Sequence, residues 1–141
     1  MGFNGLSYSI EQLLEAAKEA RAKAYVPYSG FGVGAVLIDS DGQMHKGCNV
    51  ENAAYSPTNC AERTALHRAI ADGRQAGEFK AIAVIADTDL PVTPCGVCRQ
   101  VLAELCDPDM TVILGNMQGE HRVTTVSELL PGAFTSRDLN K

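Results

Sequence analysis

Ile10, Leu13, Leu14, Ala17 and Ala24 recur at helical spacing after Ser9, and the polar residues between them predict an amphipathic covering helix running up to Tyr25 and Pro27. Ser9 and Gln12 stand three residues apart, the spacing of a capping box in which each side chain satisfies a free N–H of the other. The period then changes. Residues 31–38 place apolar side chains at alternate positions, Ser40-Asp41-Gly42 is turn chemistry, and residues 43–50 return, which predicts a β-hairpin. Asn52 to Asn59 reads as loop, because Pro57 forbids an earlier helix. A helix is expected from Cys60 to about Asp72, ended by Gly73. Ala81 to Ala86 is a short unbroken apolar run, the pattern of a strand covered on both faces. A further helix starts after Pro94, and Met110 to Leu114 is another buried strand. Ser127 to Leu130 carries at most a short helix, stopped by Pro131-Gly132, and the last residues read as a tail.

This order of elements predicts an α/β fold. The sheet is mixed, with a hairpin at one edge, helices on its faces and right-handed crossovers between the later strands. A chain of 141 residues has material for one sizeable core, so residues 1–141 are expected to form a single domain; no repeat, linker or low-complexity segment interrupts them. No apolar run is long enough to span a bilayer, and the N-terminus lacks the basic patch and apolar stretch of a secretory signal. The expected location is the cytoplasm, with no membrane partner. The formal charge of −5 is spread without a basic run, which disfavours nucleic acid as a partner.

Candidate chemistry lies in the cysteines. Five of them, an odd set, argue against a disulfide framework and for a reducing compartment. Cys48 and Cys106 read as small buried hydrophobes. Cys60-Ala61-Glu62 and Pro94-Cys95-Gly96-Val97-Cys98 supply three thiolates for a tetrahedral zinc and a carboxylate beside the one position left open, the composition of a catalytic site. Cys60 and Cys95 each open a helix, where partial positive charge favours the thiolate, and Cys98 lies one turn after Cys95. Three thiolates make a net negative centre, and Arg63 is placed to offset it by a hydrogen bond to a ligand sulfur. Taken alone, Cys-x-x-Cys fits a redox pair or half of a structural zinc site equally well. A structural site would need a fourth Cys or His. Cys48 and Cys106 sit outside any paired spacing, and His45, His67 and His121 have no ligand-like partner at short range, so solvent exposure is expected of them.

The stretch from Gly47 to Tyr55, followed by Cys60-Ala61-Glu62-Arg63 and the run from Pro94 to Gln100, resembles the small homotetrameric cytidine deaminases. The likeness extends from about Leu13 to Phe134 and leaves the first eight or so residues outside it. It implies a three-layer α/β/α fold with a mixed, roughly five-stranded sheet, one Zn2+ per chain, a homotetramer and a small-molecule nucleoside partner. It also implies hydrolytic deamination of cytidine and 2′-deoxycytidine to uridine and 2′-deoxyuridine with release of ammonia, in pyrimidine salvage. Glu62 would move the protons. Asn49 and Glu51 would hydrogen-bond the ribose, Phe31 would pack on the pyrimidine, and a neighbouring subunit would supply Phe134. Read without the resemblance, Phe31 also fits a core position at the head of a strand, and Asn49 a strand-end turn. Rival readings are a deaminase of blasticidin S, of deoxycytidylate or of bases in nucleic acid, and a structural zinc-binding module. A nucleotide enzyme would need a phosphate site, and none is evident.

Overall fold

The computed structural model describes residues 5–139, built around one five-stranded sheet. The elements are α1 (Ile10–Arg21), β1 (Val33–Asp39), β2 (Met44–Cys48), α2 (Ala61–Ala71), β3 (Phe79–Ala86), α3 (Gly96–Leu105), β4 (Thr111–Asn116) and β5 (His121–Thr125), followed by the single-turn helices α4 (Val126–Leu129) and α5 (Ser136–Leu139). The strand order is β2-β1-β3-β4-β5. Only the β3–β4 pair is parallel, joined through α3, and the β1–β2 hairpin forms one edge as expected.

The unbroken apolar runs are explained by the two faces they serve. Ala35, Leu37, Ile82, Val84, Val112 and Leu114 point to the layer made by α2, α3 and α4. Their neighbours Val36, Ile38, Ala81, Ala83, Ile85 and Ile113 point to α1. Alternate side chains of a strand leave on opposite faces, so a central strand between two helical layers must be apolar at every position. Each fully buried Leu, Ile or Val contributes on the order of 1.5–3 kcal/mol. Leu6 belongs to the α1 core, and the Tyr8 hydroxyl donates to the Gly42 carbonyl at 2.9 Å, so both residues are integral to this layer.

Local signals placed most boundaries closely. The capping box at Ser9 and Gln12 forms with both bonds, at 2.8 and 3.1 Å. At the other end α1 stops at Arg21, short of the expected Tyr25. The Tyr25 N–H donates instead to the Asn49 carbonyl at 3.0 Å, and the Tyr25 carbonyl accepts from Glu51 at 2.9 Å. Pairing with a distant segment thus takes the groups that another helical turn would need. Strand β5 has no counterpart in the segment-by-segment reading. Its sequence, His-Arg-Val-Thr-Thr, has one apolar residue and lies at an exposed edge, so neither alternation nor an apolar run marks it. It is recruited by backbone pairing to β4 across a turn built by buried Asn116, whose Oδ1 accepts from Gln118 and Glu120 at 3.1 and 3.0 Å. Of the expected tail, residues 135–139 are mostly exposed and residues 140 and 141 lie outside the described residues.

Candidate metal centre and active site

Helix α2 begins one residue after Cys60 and helix α3 one residue after Cys95; each cysteine is the N-cap, with extended backbone, and neither sulfur is spent on capping an N–H. Cys98 follows in the first turn of α3 and is buried. The two helix starts converge, bringing the three sulfurs within 4.8 Å of one another. Cys60 Sγ lies 3.9 Å from Cys95 Sγ, which lies 3.5 Å from Cys98 Sγ. Three sulfurs at zinc–sulfur distances of about 2.3 Å around a tetrahedral ion would stand about 3.8 Å apart, so the residues fit zinc. Those separations are far beyond the roughly 2.05 Å of a disulfide. The remaining cysteines are elsewhere. Cys48 is half-buried with its thiol toward the Lys23 carbonyl at 3.5 Å, and burial pushes the Cys106 thiol up to about 12.

No histidine among the described residues joins the sulfurs. His67 and His121 are exposed, as expected. His45 differs: its Nε2 lies 2.8 Å from Oδ2 of fully buried Asp39, at the far end of β1 and β2, and is largely shielded. Sequence spacing concealed the pair, because hairpin register brings residues 39 and 45 together.

The centre is strongly polarised. A hydrogen bond from the Cys98 thiol, aided by the Arg63 guanidinium, brings Cys60 down to about 5 against the opposing effect of burial. Cys98, as the donor to Cys60 and a buried group beside further negative charge, is raised. Arg63 Nη2 donates to Cys60 Sγ at 3.3 Å and reaches the Thr58 carbonyl at 3.5 Å. Glu62, only 4% exposed, is pushed up to about 7 by burial and by the charge of Cys60. A carboxyl at that value exchanges a proton readily near neutral pH.

A second set of residues adjoins this centre through the backbone. Val50 and Asn59 exchange both hydrogen bonds at 2.9 Å, and Tyr25 bridges to Val50 from the other side. Asn59 directly precedes Cys60, so the segment carrying Asn49 and Glu51 lies one rung, about 5 Å, from the backbone leading into α2. Asn49 Oδ1 accepts from Val33 N–H and its Nδ2 donates to the Phe31 carbonyl, each at 2.8 Å. Glu51 accepts from the N–H groups of Tyr28 and Ser29. Phe31 precedes β1 and is 42% exposed, so it is not a core residue. Phe134 is 57% exposed, and its carbonyl accepts from Gln100 Nε2 on α3 at 2.8 Å.

Two participants escaped the sequence reading. A Cβ on Gly47 would lie 2.5 Å from both the Ala61 carbonyl and the Ala65 nitrogen, so this glycine lets α2 settle onto β2. A glycine inside a strand pattern is the signal that could have found it. Ser29 touches Glu51 and Phe31 at once, and a lone serine in a loop carries no such signal.

Residues 7–114 match the family described as the cytidine and deoxycytidylate deaminase zinc-binding region. The match begins before Leu13, in keeping with the buried Leu6 and anchored Tyr8, and ends before Phe134. A cytidine deaminase of Sporosarcina psychrophila is 56% identical over 131 residues, covering 93% of this chain and 95% of that protein. One from Halalkalibacterium halodurans is 58% identical over 130 residues, covering 92% and 97%. Among solved structures, the cytidine deaminase of Burkholderia pseudomallei superposes with a TM-score of 0.88 at 57% identity, covering 89% of this chain and 99% of that one.

Proposed function

The chain belongs to the cytidine and deoxycytidylate deaminases, and from that membership we propose that it hydrolyses cytidine and 2′-deoxycytidine to uridine and 2′-deoxyuridine with release of ammonia. The observation that carries this reading is the pairing of a three-thiolate cluster, with no fourth Cys or His among the described residues, and a buried carboxyl poised near neutrality. Cys60, Cys95 and Cys98 would hold the zinc, which when bound would supply Lewis acidity that makes water more acidic.

Glu62 carries the protons. It takes one from the attacking water and delivers it to ring N3, which makes C4 electrophilic. The water oxygen bonds to C4. Glu62 then carries the second proton to the exocyclic amine, whose bond to C4 breaks as ammonia leaves and the carbonyl forms. Arg63 offsets the thiolate charge at Cys60, Phe31 presents a flat face to the base, and Asn49 and Glu51 hold the sugar. Both retain capacity for it: a carboxylate offers about four lone-pair sites and an amide nitrogen two hydrogens, and loop contacts use only some of these.

The working unit in this reading is a homotetramer, in which Phe134 of one chain covers a base bound beside Glu62 of another. Support comes from the exposed apolar residues near the C-terminus, Phe134 and Leu139, which solvent does not favour. No described helix is long and apolar enough to cross a membrane. The reading puts the enzyme in the cytoplasm, where thiols stay reduced, acting on free nucleosides in pyrimidine salvage.

Ammonia release by zinc-loaded protein tests the proposal with cytidine, 2′-deoxycytidine, deoxycytidylate and blasticidin S as substrates. The first two should be turned over best, and Glu62→Gln should keep its zinc while losing about 10³-fold in rate. Parental activity in Glu62→Gln would overturn the proton-carrier role, and preference for deoxycytidylate or blasticidin S would overturn the substrate.

A further inference from the structure

The loop from Tyr28 to Phe31 connects α1 to β1, and its hydrogen bonds form a chain. Glu51 Oε1 accepts from the N–H groups of Tyr28 and Ser29 at 3.0 and 3.1 Å, and Glu51 Oε2 accepts from the Ser29 hydroxyl. That hydroxyl oxygen in turn accepts from the Phe31 N–H at 2.9 Å. On its other side, the Phe31 carbonyl is held by Asn49 Nδ2 at 2.8 Å. Both backbone groups of Phe31 are therefore satisfied by side chains, and the residue is 42% exposed. This clamp fixes the backbone from which the ring projects, and Ser29 is its amide-side half.

We propose that Ser29 is a positioning residue that couples Glu51 to Phe31, so that a sugar hydroxyl engaging the carboxylate and a flat base stacking on the ring bind cooperatively. The Ser29 hydroxyl bonds Glu51 and the Phe31 amide at once, so a carboxylate held in place by a sugar hydroxyl also holds Ser29, and through it the backbone of Phe31. The chain favours ligands that carry both parts, a nucleoside over a free pyrimidine base. The inference rests on the sugar-binding reading of Glu51 and the stacking reading of Phe31 given above.

Steady-state kinetics with cytidine on zinc-loaded Ser29→Ala, Ser29→Thr, Glu51→Gln and the Ser29→Ala/Glu51→Gln double variant test it. Ser29→Ala should raise KM about tenfold, as loss of one charge-linked hydrogen bond does, with kcat changed far less. Ser29→Thr, which keeps the hydroxyl, should restore KM, and the double variant should be no worse than the poorer single one, the mark of residues acting as a unit. In a readout free of turnover, Phe31 amide exchange followed by NMR with uridine bound should be faster in folded Ser29→Ala than in the parent. Additive defects or unchanged Phe31 exchange would overturn the coupling. An unchanged KM in Ser29→Ala alongside a raised one in Glu51→Gln would overturn it while leaving the sugar reading of Glu51 standing. An unchanged KM in Glu51→Gln would remove that reading and the coupling with it.

Discussion

Arg63 uses one nitrogen for both the Cys60 sulfur and the Thr58 carbonyl, while its buried Nε has no hydrogen-bond partner in the described structure. The side chain is thus held chiefly by the charge it offsets, and the hydrogen bond to Cys60 raises its own pKa. Removing it leaves three thiolates less compensated but all ligands present. Arg63→Ala should therefore lose zinc to a competing chelator about tenfold more readily, the size of loss typical when a ligand's hydrogen-bond partner is removed. Its activity should fall less than that of Glu62→Gln. Chelator competition followed by metal analysis checks this, and zinc retention equal to the parent's would reduce Arg63 to a helix-surface residue.

At the scale of elements, the site depends on how closely α2 lies on the β1–β2 hairpin. Gly47 permits the contact, since any side chain there would meet the backbone of Ala61 and Ala65. Gly47→Ala should push the start of α2 outward, costing about 1–3 kcal/mol as overpacking does, and draw Cys60 away from Cys95 and Cys98. Melting with and without chelator should show a smaller zinc-dependent rise in Tm than in the parent; an unchanged rise would refute the link. The other end of the hairpin is tied by Asp39. Burial alone would raise its pKa, but hydrogen bonds from His45 and from the N–H groups of Gln43 and Asp41, with the charge of Arg74, outweigh burial and hold the carboxyl below its usual 3.8. A depressed folded-state pKa contributes stability that is complete above the unfolded value and lost as pH falls through the folded one. Asp39→Ala should cost about 3 kcal/mol at pH 7, as removal of one partner of a buried pair does. Its deficit in denaturant unfolding should begin to narrow only as pH drops below 3.8, and a constant deficit down to the acid transition would contradict the assignment.

For the whole molecule, the proposed tetramer makes a prediction that a self-sufficient monomer does not. Glu62→Gln chains lack the proton carrier and Phe134→Ala chains lack the covering ring. If a site draws Glu62 from one chain and Phe134 from another, reassembled mixtures contain some sites with both groups. Activity of the mixture should then rise above that of either parent. No rise, with hybrid assembly confirmed by mass and Phe134→Ala defective by itself, would mean that Phe134 serves its own chain.

What the sequence by itself determined were features written over short spans. Cys95 with Cys98, and Cys60 with Glu62 and Arg63, were legible as two local sets because a helix N-terminus and a single helical turn fix the spacing within each; that the two sets meet was left to the convergence of α2 and α3. Gly73 after α2 and Pro94 before α3 mark those helix boundaries in the same way. The capping box at Ser9 and the two-sided burial of β3 and β4 were legible on the same grounds. Only the tertiary structure decided where α1 stops, that His-Arg-Val-Thr-Thr becomes β5, that His45 reaches Asp39, and that Asn49, Glu51 and Ser29 clamp Phe31. In each of these the deciding partner is a backbone group or charge brought close by register or loop closure. Residue type and spacing carry no record of it, because a hydrogen bond to a main-chain carbonyl or amide is available from any sequence that folds past it.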